Sequence, residues 1–170
     1  SAIASAYAIE GIKVEKERLL NLSLAYESHP DNITPAVMGG FNVASVHENE
    51  VKFITKSIPR TLRAVVVVPN RPISTTLSRK TLPYKYSKED TIFNISHSSL
   101  LTAAFMSENW EMLKYASADM VHQQFRMRHM PELFEVQKTA LKNGALMSTL
   151  SGSGSTFFSV AYSEDRQKLE

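Results

Sequence analysis

The sequence has no cysteine, which excludes a disulfide framework, a thiolate metal centre and a cysteine nucleophile. The same absence fits a reducing compartment, so a cytoplasmic protein is expected. Neither charge is in excess: 19 Lys and Arg against 17 Asp and Glu leave a formal charge of +2. The basic residues are dispersed apart from short clusters such as Arg126-Met127-Arg128-His129, so a nucleic-acid-binding stripe is not expected. Long apolar runs are missing too. The strongest, Ala64 to Pro69, falls far short of the roughly 20 residues that cross a bilayer, and no membrane partner is expected. There are no internal repeats and no low-complexity tracts. What is present is an apolar fraction of 43% in 170 residues, enough for one sizeable domain or one domain plus part of another.

Both ends read as internal to a longer protein. Ser1-Ala2-Ile3-Ala4-Ser5-Ala6-Tyr7-Ala8-Ile9 opens in mid-helix with small residues and no start signal, and without a charged n-region it is not a signal peptide. Ser163-Glu164-Asp165 starts a helix by N-cap logic, and the sequence stops within about two turns of it.

Between these ends, helices are expected over about Ala2–Ile12 and Glu15–Ser28. Phe41–Val46 and Val51–Thr55 then flank a polar turn as a β-hairpin. The β-branched run Leu62–Val68 reads as a strand buried on both faces. A short helix from Ser74-Thr75-Thr76 to about Leu82 precedes a helix opened by Ser87-Lys88-Glu89-Asp90, which resembles a capping box and leads to about Met106. One long helix is expected from Asn109 to Arg128, and another from Pro131 to Asn143-Gly144. Strands Ala145–Leu150 and Thr156–Tyr162 enclose the loop Ser151-Gly152-Ser153-Gly154-Ser155. Helices, hairpin, helical block and second hairpin in this order favour an α+β fold over a doubly wound parallel sheet.

The densest chemistry lies in Glu27-Ser28-His29-Pro30-Asp31-Asn32. Proline forces His29 out of helical conformation, so Glu27 projects from a last helical turn while His29, Asp31 and Asn32 line the loop after it. A carboxylate at a helix C-terminus opposes the macrodipole, which suggests a compensating cation such as a metal ion. A polar turn in which Asp31 and Asn32 cap the next short helix accounts for the same residues.

Other segments carry weaker signals. The glycine loop suits a plain hairpin turn, although two glycines also allow an anion nest of backbone N–H groups. It follows a strand and precedes a strand, so neither a P-loop nor a dinucleotide fingerprint applies. Thr75 and Arg79 share a helix face, and Arg is suited to bidentate carboxylate recognition. Arg126 and Arg128 also suit a helix C-terminus. His47, His97, His122 and His129 lack metal-ligand spacing; His122 precedes Arg126 by four on one helix face, where a lone His is more often structural.

Four of these segments together carry a resemblance. His29-Pro30-Asp31-Asn32, Pro35-Ala36 and Gly39-Gly40 resemble the HPDN-x-x-PA-x-x-GG stretch of homoserine kinases. Leu150-Ser151-Gly152-Ser153-Gly154-Ser155 is similar to the third motif of their superfamily, the GHMP kinases. Ser74 to Pro83 resembles the ST-x-x-x-R-x-x-LP segment, and Gln124 to Pro131 resembles the PYR…P segment. Ser1-Ala2 matches the end of the PxxxGLGSSA loop, which wraps the ATP phosphates at a helix N-terminus.

The resemblance implies a two-domain α+β architecture. Residues 1–68 would complete the nucleotide-binding domain, and 69–170 would form an incomplete, ferredoxin-like α/β-plait substrate domain. It implies ATP-dependent phosphorylation of the homoserine hydroxyl, on the route to threonine, with Mg²⁺. Ser1 and Glu27 would hold the metal. Ser1, Ala2, Ser151, Gly152, Ser153 and Gly154 would meet the nucleotide. His29, Asp31, Thr75, Arg79, Arg126 and Gly152 would surround homoserine, with Arg79 and Arg126 on its carboxylate and Asp31 on its ammonium. Mevalonate kinase relatives carry an Asp base where homoserine kinases carry Asn, here Asn32, so the implied reaction is direct transfer in which Glu27, Asn32 and Arg126 align reactants.

The sequence departs from the family pattern at Ser155, where Pro is usual, and at Gln124-Phe125, where Pro-Tyr is usual. A mevalonate or diphosphocytidyl-methylerythritol kinase, or a non-catalytic relative, is the alternative. A homodimer is compatible with the sequence, which does not fix the oligomeric state.

Overall fold

The computed structural model describes residues 2–71, 78 and 80–165. The chain folds as two compact units, 1–58 and 59–170. The Val-rich strand lies in the second of these, where it pairs with a strand near Tyr162.

In the first unit, α1 (Ala2–Ile9) and α2 (Lys16–Ser23) precede α3 (Pro30–Met38). Helix α2 stops short of Ser28: Ser23 turns its hydroxyl back onto the Leu19 carbonyl at 2.8 Å, and Tyr26 N–H bonds only three residues back, to Ser23 at 3.0 Å. Such tightening is typical of a helix end. Leu20 is fully buried, and its neighbour Asn21 accepts the Val51 N–H at 2.9 Å. That bond ties α2 to the hairpin of β1 (Phe41–His47) and β2 (Glu50–Lys56), paired antiparallel from Phe41↔Lys56 to His47↔Glu50. Glu48 and Asn49, both at positive φ, make the two-residue turn, as right-handed strand twist requires.

In the second unit, β3 (Leu62–Val67), β4 (Met147–Leu150) and β5 (Phe157–Tyr162) form an antiparallel sheet in the order β3-β5-β4. Among the described residues the strand expected to be buried on both faces has a partner strand on one side only, and Val66 is 52% exposed. Helix α4 (Lys88–Ser107) is capped as its sequence predicts, Ser87 Oγ accepting the Asp90 N–H at 2.9 Å. The single helix expected over 109–128 is broken into a 3₁₀ turn (Trp110–Met112), α5 (Leu113–Ala116) and α6 (Gln123–Met127). Helix α7 (Glu132–Lys142) starts one residue after Pro131. Met127, Met130, Leu133, Leu150 and Phe157 form a buried cluster, so the core of this unit sits where α6, α7 and the two strands flanking the glycine loop converge. The helix expected from Ser163 begins as a turn through Asp165, and its continuation lies outside the described residues. Helices and antiparallel sheets in both units make the fold α+β. Among the described residues no helix is long and apolar enough to cross a membrane.

Gly40 has φ +70, and a Cβ there would lie 2.5 Å from the Lys56 carbonyl oxygen. A positive φ alone costs a side-chain-bearing residue about 1 kcal/mol, and backbone cannot yield as a flexible side chain can. In the full-length protein, Gly40→Ala is therefore expected to lower stability by about 2–4 kcal/mol in urea unfolding. Gly11→Ala, where open space surrounds the position, should cost only about 1 kcal/mol.

Candidate active site

The first unit carries the acidic-histidine segment. His29 sits at φ −97, ψ 102, outside the helical region as the following proline demands, and Pro30 occupies the first helical position. Asp31 and Asn32 lie in the first turn of α3, not in a loop before it, so their exposed side chains project from a fixed helical register. The Glu27 carboxylate accepts the His29 N–H at 3.0 Å. Its compensating positive charge is thus the N-terminal end of α3, a placement that stabilises by about 0.3–1 kcal/mol. The other carboxylate oxygen has no partner among the described residues. Glu27 also lines a pocket of 590 Å³ with Ala2, Ile3 and Ala6 of α1 and Ile33 of α3. The structure therefore brings together Ala2 and Glu27, expected on the nucleotide and metal side; Ser1 lies outside the described residues.

Among the described residues no group of three or more acidic or histidine side chains is arranged to hold a metal ion. One free carboxylate oxygen on an open pocket does not make a protein cage. It does suit Mg²⁺ carried in on phosphates, which keeps most of its shell as water and phosphate oxygen.

The second unit carries the glycine loop. Ser151 N–H bonds the Thr156 carbonyl at 2.8 Å and Gly154 N–H the Ser151 carbonyl at 3.0 Å. The N–H groups of Gly152 and Ser153 have no partner among the described residues and remain available as donors. Both loop glycines have positive φ, as successive N–H groups pointing one way require. Ser155 is buried. Two loop carbonyls are clamped from outside: Arg126 Nη1 donates to Gly152 at 2.7 Å, and buried Ser78 donates its hydroxyl to Ser153 at 2.7 Å. Arg126 is 8% exposed, so its charge sits inside this cluster and not on a solvated helix end. Arg128 is exposed and stacks over Phe125 at 5.0 Å, away from the loop. Thr75 and Arg79 lie outside the described residues.

What holds Arg126 was not evident from its motif. The Asp119 carboxylate accepts the N–H groups of Val121, His122 and Gln123 and the carboxamide of Asn94. It breaks the expected long helix and starts α6 in its place. Gln123 accepts the Leu150 N–H at 2.9 Å, fixing α6 to β4 next to the glycine loop. His122 meets Arg126 through Nε2. Burial first, and the Arg126 charge second, hold the His122 pKa below its ordinary 6.5, with Asp119 and a hydrogen bond to the Gly152 backbone opposing. Asp119, His122 and Gln123 were missed as site residues; the signal available was an Asp three or four residues ahead of a helix that ends in Arg.

Comparison with known proteins gives a class and a set of similar relatives. Residues 98–170 match the family model described as GHMP kinases C terminal. The relatives similar to the chain are homoserine kinases. The chain is 81% identical over all 170 residues to the homoserine kinase of Aliarcobacter butzleri, and 63% identical over 169 residues to that of Nitratiruptor sp.. It spans 58% of the length of each. The fold matches a crystal structure of homoserine kinase from Cytophaga hutchinsonii with a TM-score of 0.88 at 24% identity, covering 96% of this chain and 54% of that one. A putative homoserine kinase from Listeria monocytogenes matches with a TM-score of 0.76 at 21% identity, covering 98% and 56%.

Removing the Asp119 carboxylate should free the N-terminus of α6. Asp119→Ala in the full-length protein is expected to cost about 2–3 kcal/mol in urea unfolding. Asp119→Asn, which keeps an acceptor oxygen, should cost less than half of that.

Proposed function

We propose that the protein containing this chain is a cytoplasmic homoserine kinase, transferring the γ-phosphoryl group of ATP to the side-chain hydroxyl of L-homoserine in threonine biosynthesis. The observation that carries this reading is the 81% identity to a homoserine kinase over every position of the chain, the HPDN stretch and the glycine loop included.

In this reading the substrate carboxylate is gripped by Arg126 and Arg79, whose guanidinium groups supply charge-assisted N–H donors to its oxygens. Asp31 takes the ammonium, and His29, Thr75 and the Gly152 backbone are the other substrate contacts. Ala2, Ser151, Ser153 and Gly154 serve the nucleotide phosphates with Ser1. Glu27 and Ser1 hold Mg²⁺, which neutralises charge building on the phosphate oxygens.

No protein carboxylate is assigned to deprotonate the substrate, because Asn32 stands where a base would. The substrate hydroxyl oxygen attacks the γ-phosphorus as the bond to the ADP oxygen breaks, and the hydroxyl proton passes to the transferred phosphoryl group. A loose transition state needs little nucleophile activation, so alignment and charge neutralisation carry the rate. Asp31 also sets the substrate class, since an ammonium-bearing amino acid satisfies its charge and mevalonate does not.

With full-length protein, ATP and Mg²⁺, ADP release is expected with homoserine and not with mevalonate, and phosphorus NMR should show a phosphomonoester on the homoserine oxygen. Activity on mevalonate alone would sink the substrate assignment. Glu27→Gln should reduce kcat by about 10²-fold or more and raise the Mg²⁺ concentration needed for half activity. A base-like pH limb abolished by His29→Ala would contradict direct transfer.

A further inference from the structure

Arg126 reaches the Gly152 carbonyl through one terminal nitrogen, Nη1, and the same nitrogen meets His122 Nε2. Guanidinium is a donor only. The contact therefore requires a neutral imidazole with the Nε2 lone pair turned toward Arg126, and its proton on Nδ1. An imidazolium in that place would set a second cation against a guanidinium that is itself buried. The histidine is held at this spot by its own backbone, whose N–H the Asp119 carboxylate accepts at 3.0 Å. It is half-buried, in a recess lined by α4 and β4. Among the described residues the charged groups facing it are Asp119 and Arg126; the positions that α4 and β4 contribute to the recess carry no titratable side chain.

We propose that His122 is a positioning residue: its neutral ring orients the Arg126 guanidinium on the Gly152 carbonyl, in the pose from which Arg126 takes the substrate carboxylate. The inference rests on the homoserine kinase reading for the identity of that carboxylate, but the pairing of ring and guanidinium stands without it. Because burial and Arg126 both oppose protonation of the ring, the pair is intact at and above the ordinary histidine range. It is lost as the pH falls below the depressed pKa of His122. The arrangement couples grip on one substrate to pH, while the glycine loop keeps its separate clamp from Ser78 on the Ser153 carbonyl.

The test is steady-state kinetics on the full-length enzyme, with homoserine and ATP varied separately from about pH 5 to 8. In the unaltered enzyme KM for homoserine should rise on the acid side while KM for ATP stays level. His122→Ala should raise KM for homoserine about tenfold at neutral pH, a loss of about 1.4 kcal/mol, with kcat and KM for ATP within about twofold. His122→Gln, whose carboxamide oxygen can accept from Arg126 without titrating, should restore KM and flatten its acid-side rise.

An acid-side rise that persists in His122→Gln overturns the proposal, as does an equal rise of both KM values in His122→Ala. Should His122→Ala fail to fold, His122→Gln carries the test alone. The His122 ring is titrated in parallel by NMR: its pKa should lie below 6.5 and move up in Arg126→Ala, and an unmoved pKa overturns the pairing. If the enzyme does not turn over homoserine at all, the kinase reading falls, and the NMR titration still decides whether His122 and Arg126 act as a pair.

Discussion

A buried guanidinium hydrogen-bonded to a loop carbonyl is the constraint on which the second unit depends. Desolvating Arg126 costs several kcal/mol unless its donors are met, and its Nη1 is met by the Gly152 carbonyl and His122. Those partners fix two things together: the direction of the arginine and the path of the glycine loop. Met127, the next residue, is buried in the cluster that includes Leu150 and Phe157, the strand residues on either side of the loop. Core packing and the polar cluster therefore specify one register. Ser78 clamps the loop a second time through the Ser153 carbonyl. The carbonyls of Gly152 and Ser153 are both engaged, and among the described residues the N–H groups of the same two residues have no partner, an arrangement compatible with an anion nest.

The first unit resolves a different conflict, between a glutamate after a helix and the dipole of that helix. The solution is geometric. Pro30 starts α3 so close behind Glu27 that the carboxylate accepts the His29 N–H at the new helix's positive end. One oxygen is thereby satisfied by the protein and the other is left on the pocket that Ala2 and Ile3 share. A carboxylate oriented by backbone is preorganised for a cation without being committed to one. The same proline puts Asp31 and Asn32 on a helical turn, where their spacing is rigid.

Much of this was legible in the residues. Pro30 announced the break at His29, and Ser87 announced the start of α4. What could not be read was set by partners distant in sequence. The helix expected over 109–128 breaks because Asp119 finds the carboxamide of Asn94, 25 positions away. Local propensity carries no trace of that bond. The Val-rich strand read as doubly buried because its composition suits burial, whereas its pairing on one side only among the described residues follows from strand order alone. His122 illustrates the same limit at the site. Its four-residue spacing from Arg126 was visible, but its role depends on Gly152, 26 positions beyond Arg126.

The central claim is that Arg126, held on the glycine loop, reads the carboxylate of an amino-acid substrate. The most direct test compares Arg126→Ala with the unaltered full-length enzyme on homoserine and on 3-aminopropan-1-ol, which keeps the hydroxyl and ammonium but lacks the carboxylate. The account predicts that the substitution lowers kcat/KM for homoserine by about 10²-fold, the worth of a charge-assisted contact, while changing the amino alcohol rate by no more than about threefold. An equal loss on both compounds would contradict it, and would make Arg126 a strut for the loop with no part in reading the substrate.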